Sequence, residues 1–162
     1  LPAFARGNLL ISMRHTNAIA VLDLAAETVV WAARGDFKLQ HDPTILPNGN
    51  LLLFDNAGYG GSSQVLEFDL RRDERARDPV WVYRGDPPES FFTVYCGTSQ
   101  RLPNGNTLIT ESCRGRAFEV TSAGEIVWQF ASPERAGENG ELIAALFEVV
   151  RVPPEAVRGW LD

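Results

Sequence analysis

The stretch that decides the fold is Gln40–Asn56, QHDPTILPNGNLLLFDN. It contains one of the two histidines of the chain, a Pro-Asn-Gly-Asn turn and four consecutive apolar residues that end at Asp-Asn. Its LPNGN segment at 46–50 recurs at 102–106, and a shorter RGN stands at 6–8. Each copy leads into a short apolar strand, which is LLISM, LLLFD or TLITE. This repeat predicts a fold built from similar β units.

Aligning the three copies defines units at 7–31, 49–81 and 105–128, each of which ends on a tryptophan. Their opening glycines are 42 and 56 residues apart, and the longer offset carries a charged insertion at 71–78, expected to be a solvated loop. Periods of this length made of short strands are typical of β-propeller blades. We therefore predict an all-β fold with about three four-stranded propeller blades, at 1–33, 37–84 and 92–131, and a closing segment at 140–162.

Each unit divides into strands whose character differs. The central strand is apolar, the next alternates, the outer one contains the tryptophan, and an innermost strand precedes each LPNGN turn. Trp31, Trp81 and Trp128 are interpreted as large apolar core residues whose indole N–H groups need partners. The predicted strands are 9–13, 51–55 and 107–111; 18–24, 64–70 and 116–121; 28–32, 80–83 and 126–130; and 41–46 and 97–102.

Three units are too few to close a ring, because propellers have about 4–8 blades. Either the remaining blades come from a longer parent chain or a second copy completes the ring. Of these two alternatives we favour the parent chain.

The composition limits the classes of partner and ligand that we expect for this protein. The net charge of −6 argues against a nucleic acid, and no apolar run reaches the roughly 18 residues of a membrane span. Cys96 and Cys113 are expected to be reduced thiols, although a cross-strand disulfide fits the sequence as well. Since metal-ligand and phosphate-loop spacings are missing, we predict no metal site and no cofactor.

The sequence resembles the arylsulfotransferase family, whose members are six-bladed propellers related to quinoprotein-like propellers. The resemblance covers the C-terminal half of the family domain and implies a six-bladed ring here. It also implies a small-molecule aryl sulfate or phenol as ligand and is compatible with a periplasmic or exported protein. The matching segments are LLISMRHTNAIAVLDL (9–24), QHDPTILPNGNLLLFDN (40–56), GTSQRLPNGNTLITES (97–112) and GRAFEVTSAGEIVWQF (115–130).

The resemblance implies nucleotide-independent transfer of a sulfuryl group between phenols through a histidine in the central channel. His41 matches a channel histidine and is the predicted catalytic residue. The predicted substrate-binding residues are Arg14, His15, Asn56 and Arg114.

Each of these residues can also be explained by a purely structural role. His41 and Asn56 stand at strand ends, Arg14 and His15 could cap loop carbonyls, and the arginines of SCRGR could pair with Glu111 or Glu119. For Arg116 we favour such a pair. If residues 40–42 are extended, Gln40 and Asp42 point away from the face that carries His41.

The family's nucleophilic histidine is expected near Cys113–Arg116, where this sequence has none. The alternative hypothesis is therefore a non-catalytic propeller that binds a ligand or a protein. A quinone-cofactor enzyme is a distant third reading.

Overall fold

The computed structural model describes residues 1–159, and most of its regular structure is β-sheet. A short helix, α1 (Pro154–Val157), follows the strands. The closing segment predicted at 140–162 is described as far as residue 159, and its last three residues lie outside the described part. The strands are β1 (Leu9–Met13), β2 (Ala18–Asp23), β3 (Thr28–Ala33), β4 (His41–Ile45), β5 (Leu51–Tyr59), β6 (Ser62–Phe68), β7 (Trp81–Arg84), β8 (Thr98–Arg101), β9 (Thr107–Glu111), β10 (Arg116–Val120), β11 (Ile126–Ala131), β12 (Arg135–Ala136) and β13 (Leu142–Ile143).

The strands form antiparallel sheets in which chain neighbours are sheet neighbours. The first sheet is β1-β2-β3, the second β4-β5-β6-β7, and the third β8-β9-β10-β11, while β12 and β13 form a two-stranded ribbon. The all-β prediction is confirmed, and sheets of this order are consistent with propeller blades. Residues 1–159 show neither a closed ring nor a blade count.

The first sheet has three strands where the blade pattern predicts four. The residues before β1 form a 3-10 turn at Pro2–Phe4 instead of an innermost strand. Phe4 packs on Trp31 with ring centroids 5.1 Å apart, so this turn covers the tryptophan of the first sheet.

Strand β5 explains the apolar run of the opening stretch, because it is buried on both faces. Leu51 and Leu53 join a core cluster shared with the first sheet, and Leu52 and Phe54 join a second cluster shared with the third sheet. Successive side chains of a strand point to opposite faces, so LLLF supplies two cores at once. The second core also contains a group of aromatic rings in tilted or edge-to-face contact, with centroids 5.4–5.6 Å apart: Phe54, Tyr83, Phe91 and Phe118.

The two LPNGN turns close in the same way. Asn48 accepts a hydrogen bond from the Asn50 amide, and Asn50 donates to buried Glu67 at 2.7 Å. The second turn repeats these contacts with Asn104, Asn106 and Glu119. The positive φ of the turn glycine, 85° at Gly49, is a conformation that glycine adopts without steric cost.

Each of the first two sheets reaches the next sheet through its tryptophan. The indole N–H of Trp31 donates to the carbonyl of Glu74, in the loop between β6 and β7. That of Trp81 donates to the carbonyl of Ser122, in the turn between β10 and β11. These bonds supply the partners that the two indole N–H groups were expected to need.

The segment after β13 repeats the contacts of strand β8. Arg101 of β8 pairs with Glu67 at 2.8 Å and lies over the Trp81 ring. Arg151 pairs with Glu119 at 2.9 Å and lies over Trp128, one sheet further along the chain. Residues 151–153, RVP, therefore occupy against the third sheet the place that RLP at 101–103 occupies against the second.

The closing segment predicted at 140–162 has little regular structure in its described part. Strand β13 covers two residues, and residues 144–153 run without a strand partner. Pro154 then begins α1, because proline fits the first turn of a helix.

Truncation of Leu52 to alanine should test the double burial of β5. Leu52 is fully buried, so we expect Leu52→Ala to lower the free energy of unfolding by about 2–5 kcal/mol. Leu24→Ala, at a position 56% exposed, should change it by no more than about 0.5 kcal/mol. Urea denaturation followed by tryptophan fluorescence measures both variants, and equal losses would contradict the assigned core.

Candidate functional site

A β-bulge places His41 at the start of β4. His41 lies opposite Phe54 and Thr44 lies opposite Leu52, so two residues of β4 face one residue of β5 between these pairs. The equivalent part of β8 pairs without an extra residue. Asp42 has a φ of 51°, so the backbone here is not extended as the sequence suggested. Bulges of this kind re-aim the neighbouring side chains.

The His41 ring is half-buried and hydrogen-bonded to Asn56. Its Nδ1 lies 2.7 Å from Asn56 Oδ1. Among residues 1–159, Nε2 has no hydrogen-bond partner. Asn56 itself is fully buried, near the middle of the long strand β5.

The Asn56 amide is held by main-chain carbonyls of the loop before β8. Its Nδ2 donates to the carbonyls of Thr93 and Cys96, both at 2.8 Å. Ser63 supports the same place, since its Oγ donates to the Asn56 carbonyl and accepts from the Thr93 amide. Both polar atoms of the Asn56 side chain are thus engaged inside the protein.

Arg14 and His15 lie in the 3-10 turn between β1 and β2. Arg14 donates through Nη2 to the carbonyl of Val94 at 2.8 Å, and its Nη1 lies 3.1 Å from His15 Nε2. The Nε of Arg14 is buried without a hydrogen-bond partner among the described residues. His15 is exposed and contacts Arg14 rather than His41.

Arg114 and Arg116 share one buried carboxylate, that of Glu111. Arg116 Nε lies 2.7 Å from Glu111 Oε2, and Arg114 Nε lies 3.5 Å from Oε1. Arg114 also donates to the carbonyls of Ser90 and Glu89. The pairing favoured for Arg116 is present, and Glu111 rather than Glu119 is the partner. Much of the positive charge of SCRGR is therefore neutralised locally.

Both cysteines are free thiols. Cys113 stands in the 3-10 turn Ser112–Arg114, which is followed by the left-handed residue Gly115. His15 stands at the same position of the turn Arg14–Thr16, which is followed by the left-handed Asn17. Cys113 therefore occupies in the third sheet the place of His15 in the first.

The Asp42 carboxyl faces away from His41 toward the third sheet. Its Oδ2 accepts a hydrogen bond from the Ser99 amide at 2.7 Å. It lines a cavity of about 250 Å³ between β4, β8 and residues 148–150, together with Glu148 and Ser99, whose buried Oγ has no partner among the described residues. Burial, reinforced by the Glu148 charge and opposed by the Ser99 bond, raises the pKa of Asp42 to about 6.

The structure connects the five predicted site residues through one loop, but not all of them contact it directly. Arg14 and Asn56 bond directly to carbonyls within 93–96, Arg114 bonds to carbonyls at 89 and 90, and His41 joins through Asn56. His15 is attached through Arg14. The segment 89–96 thus connects side chains from all three sheets.

Within residues 1–159, no three or more His, Cys, Asp or Glu side chains are grouped to hold a metal ion. In the same part of the chain, no helix has the length and apolar character needed to cross a membrane.

A family model described as arylsulfotransferase (ASST) matches residues 1–133 of the 162. The chain belongs to the arylsulfotransferase family. No curated protein matches it. The matched residues end at 133, between β11 and β12, so the match does not include the two-stranded ribbon.

One solved structure similar to this arylsulfotransferase-family chain is a protein of unknown function from Bacteroides caccae. The two share 15% identity with a TM-score of 0.44. The match covers 76% of this chain and 57% of the other protein, so the chain spans little more than half of that protein's length.

Sequence reasoning missed the carbonyls that hold Asn56. Thr93 and Cys96 act through main-chain oxygens, which every residue carries, so no pattern of side chains points to them. The Asp42–Ser99 contact was missed for another reason, since it depends on the bulge and the left-handed Asp42 backbone. A proline after Asp42 was the available signal for irregular pairing, because proline within a strand is associated with bulges.

Asp42→Asn should remove a pH dependence of stability. The folded pKa of about 6 exceeds the ordinary value of 3.8, so this group stabilises the fold fully below about pH 4 and loses that contribution as pH rises through 6. Asparagine cannot ionise but can still accept the Ser99 bond. We therefore expect the stability advantage of the variant to grow by roughly 1–3 kcal/mol between pH 4 and pH 7.

Urea denaturation of both proteins at a series of pH values measures this difference. Asp78→Asn, at an exposed carboxyl, is the control for a lost negative charge. A constant difference between Asp42→Asn and the parent protein across this pH range would contradict the raised pKa of Asp42.

Proposed function

We propose that the protein is an arylsulfotransferase-like enzyme that moves a sulfuryl group from an aryl sulfate to a phenol without a nucleotide donor. In this proposal the sheets are blades of a six-bladed propeller, and the substrates enter its central channel. The remaining blades come from further chain or from a second copy. No metal or cofactor takes part, and the ligands are small aromatic anions.

The reaction needs a nucleophile that can carry a sulfuryl group. A neutral imidazole nitrogen of His41 attacks sulfur while the bond from sulfur to the phenolic oxygen breaks, which releases a phenolate and leaves sulfohistidine. The acceptor phenol then attacks the same sulfur, and the sulfur–nitrogen bond breaks. The acceptor loses its proton and the first phenolate gains one, so the imidazole returns unchanged.

The observation that carries this proposal is the hydrogen bond that holds the His41 ring through one nitrogen, in a chain of the arylsulfotransferase family. Its Nδ1 is bonded to a buried asparagine, while Nε2 has no partner among the described residues. A ring held through one nitrogen is oriented for reaction at the other. Arg14, with His15 beside it, is the predicted cation for the sulfuryl oxygens, whose spread charge favours preset N–H donors.

Two of the predicted substrate contacts need a narrower role. Asn56 has both amide atoms engaged, so in this proposal it acts through His41. Arg114 is tied to Glu111 and two carbonyls but is half exposed, so one face of its guanidinium stays accessible.

A non-catalytic binding protein is the second candidate. The observation that favours it lies at SCRGR, where the expected histidine is missing and both neighbouring arginines pair with the Glu111 carboxylate. In this candidate the same surface holds an aromatic anion or a protein without transferring a group.

His41→Ala distinguishes the two candidates. If His41 carries the sulfuryl group, the variant should lose aryl sulfate turnover by at least about 10³-fold, because the nucleophile is gone. Its free energy of unfolding should fall by only about 1–3 kcal/mol, the cost of leaving Asn56 Oδ1 without its partner. Release of a chromogenic phenol and thermal unfolding measure the two effects.

Mass spectrometry of the complete protein after incubation with an aryl sulfate locates the covalent intermediate. We expect a mass gain of one sulfuryl group on the peptide that carries His41, and none in His41→Ala. A gain on a different residue would leave the activity and remove His41 from the role of nucleophile. Neither adduct nor phenol release from the folded protein would favour the binding candidate.

A further inference from the structure

We infer that Asn56 is a positioning residue that fixes the protonated nitrogen of His41, so that the neutral ring carries its proton on Nδ1 and presents an unprotonated Nε2. The assignment of protons follows from geometry alone. Its consequence for group transfer rests on the function proposed above.

The orientation of the Asn56 amide is the first step. Its NH₂ group can only donate, and its oxygen can only accept. Thr93 and Cys96 present carbonyl oxygens, which can only accept, and both lie 2.8 Å from Nδ2. Rotating the amide by half a turn would set its oxygen against two carbonyl oxygens and leave Oδ1 and the Cys96 carbonyl without a donor. The oxygen therefore faces His41.

The protonation of His41 follows from that orientation. Asn56 Oδ1 lies 2.7 Å from Nδ1 and cannot donate, so the bond exists only if Nδ1 carries the proton. The opposite tautomer would place two lone pairs against each other at this distance. In the neutral imidazole, the proton on Nδ1 leaves the lone pair on Nε2.

The loop that holds Asn56 is itself anchored to two sheets. Thr93 Oγ1 accepts from the Cys113 amide of the third sheet and donates to the Tyr95 carbonyl. The Thr93 amide donates to Ser63 of the second sheet. Cys96 has a left-handed backbone with a φ of 55°, which turns its carbonyl in this loop. The tautomer of His41 thus depends on how the second and third sheets pack.

In the proposed reaction, the tautomer determines what fraction of neutral His41 can act as the nucleophile. A free imidazole exchanges its proton between both nitrogens, and only the form with an unprotonated Nε2 could attack from this ring position. By holding that form, Asn56 keeps the whole neutral population competent. It also accepts from Nδ1–H, which supports the positive charge that the ring develops when Nε2 bonds to sulfur.

The test is the protonation state of the ring, read by long-range ¹H–¹⁵N correlation NMR at pH 8. His15→Gln leaves His41 as the single histidine of these 162 residues, and the signals that disappear when His41→Gln is added are those of His41. We expect Nδ1 of His41 to give the signal of a protonated nitrogen and Nε2 that of an unprotonated one. The reverse pattern in this otherwise unaltered protein would overturn the inference, with no need for activity or for a further variant.

Asn56→Ala, made in the same background, removes the acceptor. We expect its Nδ1-protonated fraction to fall by at least several-fold, because the ring loses the interaction that selected one tautomer. Asn50→Ala removes another buried asparagine hydrogen bond of the same sheet, to Glu67, and should leave the His41 spectrum unchanged. A spectrum that changes equally in both variants would indicate a general loss of structure and overturn the specific role of Asn56.

Turnover separates this inference from the proposed function. If the protein transfers sulfuryl groups, Asn56→Ala with His15 intact should lower kcat by about 10–100-fold, the range seen when an outer partner of a functional imidazole is removed. Its KM for aryl sulfate should change less than kcat. Unchanged kcat with a changed tautomer would overturn the mechanistic consequence. A protein with no turnover but the expected NMR pattern would reject the transferase proposal while the tautomer assignment stands.

Discussion

The double burial of strand β5 is the constraint on which the rest of the structure depends. Four successive apolar residues fill two separate cores, so the strand can be shifted neither along its length nor sideways without emptying one of them. This fixes Asn56 at zero exposure immediately beyond the run. It also fixes the partner strand β4, and with it the bulge that starts at His41. The candidate site is therefore attached to a strand that is buried on both faces.

The charged residues around the site lie at the ends of strands and in the 3-10 turns between them. Glu111 is wholly buried and binds two arginines together with the Phe92 amide. Such an arrangement keeps guanidinium groups near the site while one carboxylate offsets part of their positive charge. Arg14 has no carboxylate partner among the described residues, since its Nη1 and Nη2 contact His15 and the carbonyl of Val94. This difference explains why Arg14 is the stronger candidate for an anionic substrate.

The second and third sheets share a repeated set of side-chain contacts. Arg151 reproduces the contacts of Arg101 although its segment belongs to no sheet of residues 1–159. The same side-chain contacts are thus made by a paired strand and by a segment outside any sheet. The family match shows the arylsulfotransferase family and the strands show an all-β fold, whereas the number of blades stays part of the proposal. The covalent chemistry likewise stays a proposal.

The strands and their order could be read from the sequence because they depend on local patterns. Apolar runs, Pro-Asn-Gly turns and tryptophan spacing each act over a few residues, and the observed strands differ from the predicted ones mostly at their ends. The family resemblance also came from such local motifs. Only the tertiary structure decided which hydrogen bonds hold the site together. Asn56 donates to two carbonyls that are 37 and 40 residues away in the sequence, and Asp42 accepts from the Ser99 amide, 57 residues away. Main-chain oxygens are the same in every residue, so their positions depend on the packing of whole sheets and not on any motif.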